Sequence, residues 1–341
     1  MYIRILLLAA GLVACGRPPK ALIDNPVEET VCAADLSTMP MAWQPTAEQL
    51  ELLDAGPWLP AESEYASNAA VAGFYEMRDY LSGHPDRVLA LWDNAVECHL
   101  NSAYGSNDEA LAAEALIAAE RALLAITTPY LARLPDTPGC SEAANLLGFF
   151  TYAHILDERR PGGAASVLRI RLRSLTQHAW DQCADLSEAM NYNYGAVLKN
   201  SAAANDVVYD LVMWALALSE GQSIPDLRLP IESERFLPQL WAYLRRYPIP
   251  AARDYPSGAS HPAVYDGAYL ATHIAYIPTA YGRYPIRISQ APWLFAYLRE
   301  NFYPVLAMGE LDLVAEFIDL FRQYGCTPEN DRQTRDGMRH V

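Results

Sequence analysis

The sequence predicts an all-α protein, and three observations carry this prediction. Apolar residues recur at intervals of three and four along most of the chain after about residue 45. Capping boxes, first-turn prolines and Gly/Pro-rich stops recur between these periodic segments. No series of alternating Val/Ile/Thr strands appears, and no βαβ order. A multi-helix bundle and an α/α toroid-like array of helical hairpins both fit, because periodicity does not separate them.

Start and stop signals place the helices in order along the chain. A capping box at 46–49 opens a short first helix, and Pro85 lies in the first turn of another. Asn107 and Ser141 are expected to cap two further helices, and 185–188 is a second capping box. The predicted helices after the first cover 62–82, a segment from 84, 107–127, 141–158, about 167–179, 185–201, 205–219, 233–247, 263–277, 291–308 and 310–324, with a last helix from 327.

One segment has an ambiguous pattern. Residues 167–173 alternate apolar and charged side chains, which fits a strand. Over a longer window, however, Leu168, Leu172, Leu175 and Ala179 recur at helical spacing. We therefore predict a helix here.

The first sixteen residues have the layout of a secretory signal. Arg4 precedes an apolar run from Ile5 to Val13, which is shorter than the roughly 20 residues needed to cross a bilayer. The run ends in Leu-Val-Ala-Cys-Gly, with the cysteine at position 15. This motif resembles the lipobox of bacterial lipoproteins, and the resemblance covers residues 1–16 only.

The resemblance implies cleavage before Cys15 and attachment of a diacylglycerol to its thiol, usually with acylation of its amine. Two or three acyl chains give stable membrane anchoring. Gly16 stands where an aspartate tends to keep Gram-negative lipoproteins in the inner membrane, so the resemblance implies an outer-membrane lipoprotein. The expected organisation is a signal peptide at 1–14, a Pro-containing flexible tether at 15–44 and a single helical domain at 45–341.

Charge and composition limit the partners. The chain carries 41 acidic and 25 basic residues, a formal net charge of −16. Such a protein repels nucleic acid and anionic membrane surfaces, so the membrane is expected as a partner only through the lipid on Cys15. Other envelope proteins or glycans remain open as partners, and no cofactor is expected.

Six cysteines are present, and lipidation of Cys15 would leave five. The compartment beyond the inner membrane permits disulfides, and an odd number leaves at least one thiol outside an intrachain pair. We expect a Cys140–Cys183 bond, because both residues lie at helix boundaries where the backbone can meet disulfide geometry. Without C-x-x-C or zinc-finger spacing, no structural zinc site is expected.

The most unusual segment for chemistry is 261–284. On its helix, Asp266, Tyr269, His273 and Tyr276 are expected on one face, with His273 as a general base oriented by Asp266 or Tyr269. His261 before the helix and the loop after it offer a binding lip for an anionic or sugar-like ligand, formed by His261, Tyr281, Arg283 and Tyr284. The alternative is a polar network that only locks one helix onto its neighbours.

Two weaker patterns have simpler explanations. Asp206 and Asp210 lie one turn apart, as paired catalytic carboxylates do, but acidic residues also favour an exposed helix start. The pairs His154/Glu158 and His178/Asp181 have metal-ligand spacing but lie near helix ends, so no metal site is expected.

Two classes of function remain open from the sequence. G-x-S-x-G, P-loop, G-x-G-x-x-G and H-E-x-x-H motifs are absent. This absence favours a binding or interaction lipoprotein. The alternative is an envelope glycan- or peptide-processing enzyme on an α/α scaffold, with His273 and Asp266 in its site.

Overall fold

The structure is a computed structural model that describes Cys32 and residues 56–106, 108–225 and 227–341. The all-α class is confirmed, since these residues form fourteen α-helices and no strand. The signal peptide, Cys15, most of the tether and the 46–49 capping box lie outside the described residues. The helices are α1 (Pro60–Gly83), α2 (Pro85–Leu91), α3 (Asp93–Gly105), α4 (Glu109–Arg133), α5 (Ala143–Arg159), α6 (Ala164–Asp181), α7 (Leu186–Met190), α8 (Tyr194–Val197), α9 (Asn205–Gln222), α10 (Ile231–Leu244), α11 (Pro262–Thr279), α12 (Pro292–Met308), α13 (Leu311–Gln323) and α14 (Arg332–His340).

The chain separates into two compact units that are each discontinuous in sequence. The first unit comprises, among the described residues, Cys32, 56–74, 105–106 and 248–341. The second comprises 75–104 and 108–247. The first therefore holds α11 to α14, and the second holds α2 and α4 to α10. The expectation of a single domain over 45–341 stays a prediction.

The helix predicted from residue 84 is interrupted at Trp92, in the second unit. Trp92 has a positive φ of 53°, and its backbone N–H donates to Val88 to end α2. A new helix, α3, begins at Asp93. The indole packs 5.0 Å from the ring of Phe149 and 6.0 Å from that of Tyr130, measured between centroids. Tertiary aromatic packing thus accompanies a break that local periodicity does not reveal.

Helix α4 is capped by Asp108. Its carboxylate accepts hydrogen bonds from the backbone N–H groups of Ala110 and Leu111, at 2.8 and 3.2 Å. This is standard N-cap geometry, and it satisfies two of the helix's initial donors. The predicted cap, Asn107, lies outside the described residues.

Helices α5 and α6 form a hairpin at the centre of the second unit. Helix α6 contains the whole segment 167–179 that the sequence predicted to be helical, and it buries Leu168, Leu172 and Ala179. The predicted Cys140–Cys183 disulfide is present, and it joins the start of α5 to the end of α6. At the other end, Glu120 accepts from Ala165 N–H and from Arg160, both at 2.7 Å. Both ends of the hairpin are therefore fixed.

The first unit is organised around a buried arginine on α12. Arg299 is 8% exposed and donates to Asp331 at 2.8 Å and to Gln333 at 2.9 Å. Its guanidinium carbon lies 4.8 Å from the ring centre of Phe295 and 4.4 Å from that of Phe321. A buried charge needs such partners, so this one residue holds α12, α13 and the start of α14 together.

A second disulfide, Cys32–Cys326, was not predicted. It places Cys32 beside Arg299, whose terminal nitrogen contacts both sulfurs. Among the described cysteines, only Cys98 lies outside a disulfide. Burial raises the pKa of its thiol to about 12. The five described cysteines therefore form two disulfides and one thiol.

We predict that opening the Cys140–Cys183 ring destabilises the protein substantially. This bond closes a loop with a sequence separation of 43 residues, and chain-entropy arguments assign such a loop about 4 kcal/mol. The paired variant Cys140→Ala/Cys183→Ala should lower the free energy of unfolding, measured by urea titration, by about this amount. Cys98→Ala removes a sulfur without opening a ring and should cost much less. Equal losses in both variants would contradict the prediction.

Candidate functional site

Helix α11 is buried on most of its surface, yet it carries polar side chains. Its buried residues include Thr272, His273 and Thr279 beside Val264, Leu270 and Ile274. Polar groups in such surroundings are costly unless they form hydrogen bonds. The partners come from α13, which packs against α11 within the first unit.

Three polar contacts join the two helices. The Tyr269 hydroxyl donates to the carboxylate of Asp312. The Thr272 hydroxyl lies 2.6 Å from Oε2 of Glu316 and donates to it. Nδ1 of His273 lies 4.0 Å from the same carboxylate oxygen. We call these five residues, Tyr269, Thr272, His273, Asp312 and Glu316, the α11–α13 site.

His273 is held as a neutral imidazole. Its Nδ1 lies 2.9 Å from the backbone carbonyl oxygen of Tyr269. A carbonyl only accepts, so Nδ1 carries the hydrogen and Nε2 carries the lone pair. Burial lowers the pKa of His273 to about 4, although the bond to Tyr269 opposes this shift. At neutral pH the ring is therefore an uncharged base.

Glu316 is shifted in the opposite direction. Its side chain is 21% exposed, and burial raises the pKa of its carboxyl to about 8. The hydrogen bond from Thr272 lowers this pKa, while the charges of Asp312 and Asp319 raise it further. Burial, the charge of Glu316 and the hydrogen bond to Asp312 also raise the pKa of Tyr269. At neutral pH Glu316 mainly holds its proton beside a neutral His273.

The loop after α11 has an unusual backbone and places the Tyr281 ring edge-on to His273. Ala280, Tyr281 and Gly282 have consecutive positive φ angles of 48°, 55° and 80°. The left-handed region disfavours residues with a Cβ, and such strain concentrates at functional sites. The Tyr281 ring stacks on that of Tyr276 at 5.1 Å, and these two rings lie 6.5 and 5.7 Å from the His273 ring.

Gly282 is required by the close approach of α13. A Cβ at this position would lie 2.8 Å from Nε2 of Gln323 and 3.1 Å from Oδ2 of Asp319. Asp319 is 3% exposed and accepts from Gln323 and from Arg322. The strained loop is thus held against the third carboxylate of the same α13 face.

Two residues proposed from the sequence lie apart from this site. Asp266 is exposed and makes no hydrogen bond or ion pair with the described residues, so it does not orient His273. His261 is the N-cap of α11: its Nδ1 accepts from Ala263 N–H at 3.2 Å, and its ring stacks on Tyr255 at 3.8 Å. Local capping and stacking, rather than the binding lip, account for its position.

The other predicted lip residues lie in the strained loop (Tyr281) or directly after it (Arg283 and Tyr284). Arg283 is partly buried, and its Nε donates to the backbone carbonyl of Ala280 at 2.8 Å. Tyr284 is 46% exposed, and its N–H donates to the carbonyl of Thr279. The structure therefore brings Tyr281 to His273 and gives Arg283 a role in holding the loop.

The weaker candidates have local explanations. Asp206 and Asp210 are both exposed on α9. His154 lies 3.4 Å from Glu158 at the exposed end of α5. Asp181 accepts from Gln177 at 2.9 Å. None of these groups joins the α11–α13 site.

Sequence reasoning missed the acidic half of the site. Asp312, Glu316 and Asp319 are spaced by four and three residues, so they share one face of α13. Residues 311–321 are otherwise apolar. A row of acidic residues on one face of an apolar helix was therefore the sequence feature that could have revealed this half of the site. Its pairing with α11 depends on a contact between helices that no single-helix pattern contains.

One group of potential metal ligands occurs among the described residues: Cys32, Cys326 and Asp331. The two sulfurs are joined in a disulfide, so neither is a thiolate, and the Arg299 guanidinium adjoins both. A cation is disfavoured beside this positive charge, and we propose no metal site there.

No protein-family description, curated protein or solved structure matches this chain. Across the described residues, none of the helices combines the length and apolar character needed to traverse a bilayer.

We predict that Glu316 makes stability fall between pH 6.5 and 8. The folded pKa of about 8 exceeds the ordinary value of 4.5, so folded protein holds a proton in this range that unfolded protein has lost. His273, with a folded pKa of about 4, acts in the opposite direction only below its ordinary value of 6.5. The free energy of unfolding should therefore fall by about 1 to 2 kcal/mol from pH 6.5 to 8 through Glu316.

Glu316→Gln should remove this dependence because an amide does not titrate. Asp266→Asn is the matched control, since it makes the same exchange at an exposed position of α11. Denaturant titrations at pH 6.5 and 8 measure the difference. A slope that persists unchanged in Glu316→Gln would contradict the assignment.

Proposed function

We propose that the protein is a membrane-anchored, extracytoplasmic lipoprotein, placed in the outer membrane, whose helical body binds a partner or ligand. The observation that carries the proposal is the lipobox ending at Cys15, after an apolar run too short to span a bilayer. The two disulfides support it, because such bonds persist in oxidising compartments and are rare in the cytosol.

The Cys32–Cys326 disulfide gives the proposed tether a defined end. Seventeen residue steps separate Cys15 from Cys32, which is bonded into the first unit. A fully extended chain of this length reaches about 60 Å at most. Under the proposal, the first unit is confined to this distance from the bilayer, close enough to contact other envelope components.

A binding role is favoured by how the polar groups of the α11–α13 site are paired. Tyr269, Thr272 and His273 each have a partner on α13 or on the backbone. Their network stabilises the helix pair, while the strained loop presents Tyr281 and Tyr284 beside it. A rigid support carrying partly exposed tyrosines is typical of a recognition surface.

Replacement of Cys15 tests the anchoring. Cys15→Ala should abolish the acyl mass increment on the mature N terminus and move the protein from the membrane to the soluble fraction. Cys98→Ala, which removes the described cysteine outside both disulfides, should leave the mass increment and the membrane location unchanged. Intact mass spectrometry after detergent extraction and membrane fractionation provide the two readouts. A mature protein with an unmodified Cys15 would refute the proposal.

A second candidate function is an enzyme that processes envelope glycans or peptides. The specific observation is that neighbouring groups have their pKa values pushed apart, to about 8 for Glu316 and about 4 for His273. Environments that separate two titratable groups in this way create an acid and a base at the same pH. Glu316 would donate a proton and His273 would accept one, with Tyr269 holding the imidazole orientation through its carbonyl.

We predict how variants separate catalysis from structure. If the site is catalytic, His273→Gln and Glu316→Gln should each reduce fragment release from isolated peptidoglycan by at least about 100-fold, as loss of a general acid or base does. Asp266→Asn should retain full release, and melting temperatures show whether each variant is folded. Release by none of the proteins, or equal release by all four, would contradict the enzymatic candidate.

A further inference from the structure

One segment of this acidic protein is strongly basic. Residues 159–180 contain five arginines and no acidic residue, in a protein with 41 acidic and 25 basic side chains. The segment covers the turn before α6 and nearly all of that helix. Helix α6 is therefore locally basic, although the net charge of the chain is −16.

Arg159, Arg160 and Arg169 contact side chains of the second unit. Arg160 binds Glu120 and Arg169 binds Asp157, both at 2.7 Å. The guanidinium of Arg159 lies over the ring of Tyr104 at 4.7 Å.

Arg171 and Arg173 are both exposed on α6. Among the described residues, no acidic side chain forms an ion pair with Arg171. A positive charge therefore remains on the outer surface of this helix.

Two large apolar residues are exposed beside these arginines. Val167 is 72% exposed and Ile170 is 69% exposed, one helical turn apart on α6. Arg171 follows Val167 at a spacing of four, so it shares their face, and Arg173 follows Ile170 at a spacing of three. We call Val167, Ile170, Arg171 and Arg173 the α6 outer face.

We propose that the α6 outer face docks on the bilayer to which the lipid anchor holds the protein, with an anionic phospholipid headgroup on Arg171. Apolar residues flanked by cationic ones are the pattern of helices that lie at a membrane surface. Each basic residue near anionic lipid adds an attraction that salt screens. The proposal rests on the proposed lipid anchoring and adds an orientation to it.

Tethering explains why so small a face is sufficient. The rest of the acidic protein is repelled by anionic lipid, so the untethered chain is not expected to bind vesicles strongly. A flexible tether raises the effective concentration at the surface to about the millimolar range, where weak contacts are occupied. The face therefore acts after anchoring and limits how the second unit stands on the membrane.

The test uses an environment-sensitive fluorophore on the face. Val167→Cys in a Cys98→Ala background provides the attachment point, because Cys98 is the one described cysteine outside a disulfide. Leu89→Cys places the same label at another exposed position of the second unit. Vesicles are made of phosphatidylcholine alone or with phosphatidylglycerol added.

Two ways of tethering separate this proposal from the anchoring itself. In one arm the full chain carries its native lipid. In the other, Cys15→Ala protein carries a terminal hexahistidine bound to a nickel-chelating lipid, which requires no acylation. Failure of the first arm alone would count against lipidation and leave docking to be judged in the second.

The expected result is a blue shift of the 167 label on phosphatidylglycerol vesicles, absent on phosphatidylcholine and removed by high salt. Arg171→Glu should abolish the shift. Arg245→Glu, an equal charge reversal at an exposed position of the same unit, should retain it. The label at position 89 should not respond.

Three outcomes would overturn the proposal. One is an unchanged 167 spectrum on phosphatidylglycerol in the nickel-tethered arm. Another is an equal loss in both charge-reversal variants. The third is a shift that appears only when envelope proteins are added, which would assign the face to a protein partner.

Discussion

The buried charge of Arg299 is the constraint on which the first unit depends. A guanidinium removed from water must be neutralised and hydrogen-bonded, and its donors reach Asp331, Gln333 and the Cys32–Cys326 disulfide. These partners come from parts of the chain that are far apart in sequence. Removing any one would leave a buried charge partly unsatisfied, so their arrangement is mutually dependent. The same interaction holds Cys32 against the first unit.

The requirement that buried polar groups be satisfied also shapes the α11–α13 site. Helix α11 is apolar enough to be buried on most of its surface, so Tyr269, Thr272 and His273 must find acceptors nearby. Helix α13 supplies Asp312 and Glu316, and the desolvation that makes this pairing necessary also moves the pKa values of His273 and Glu316 apart. A network that stabilises two helices is therefore also a paired acid and base.

The charge of the protein has different consequences at different scales. The net charge of −16 argues against attraction to anionic surfaces when the molecule is considered as a whole. Screening limits that repulsion to about 10 Å, so the α6 outer face responds mainly to its own surroundings. A tether that confines the protein near the bilayer makes such a local face effective. Anchoring and orientation would then be provided by different parts of the chain.

By itself, the sequence determined the helical class, most helix positions, the helical state of residues 167–179 and the Cys140–Cys183 pair, because periodicity, caps and helix boundaries are local features. It also singled out Tyr269, His273 and Tyr281 as candidates. Only the tertiary structure decided that α13 carboxylates, and not Asp266, accompany His273, that His261 is a helix cap, and that the helix from residue 84 breaks at Trp92. Each of these depends on contacts between segments distant in sequence, and burial, which sets the pKa values, exists only once those segments pack.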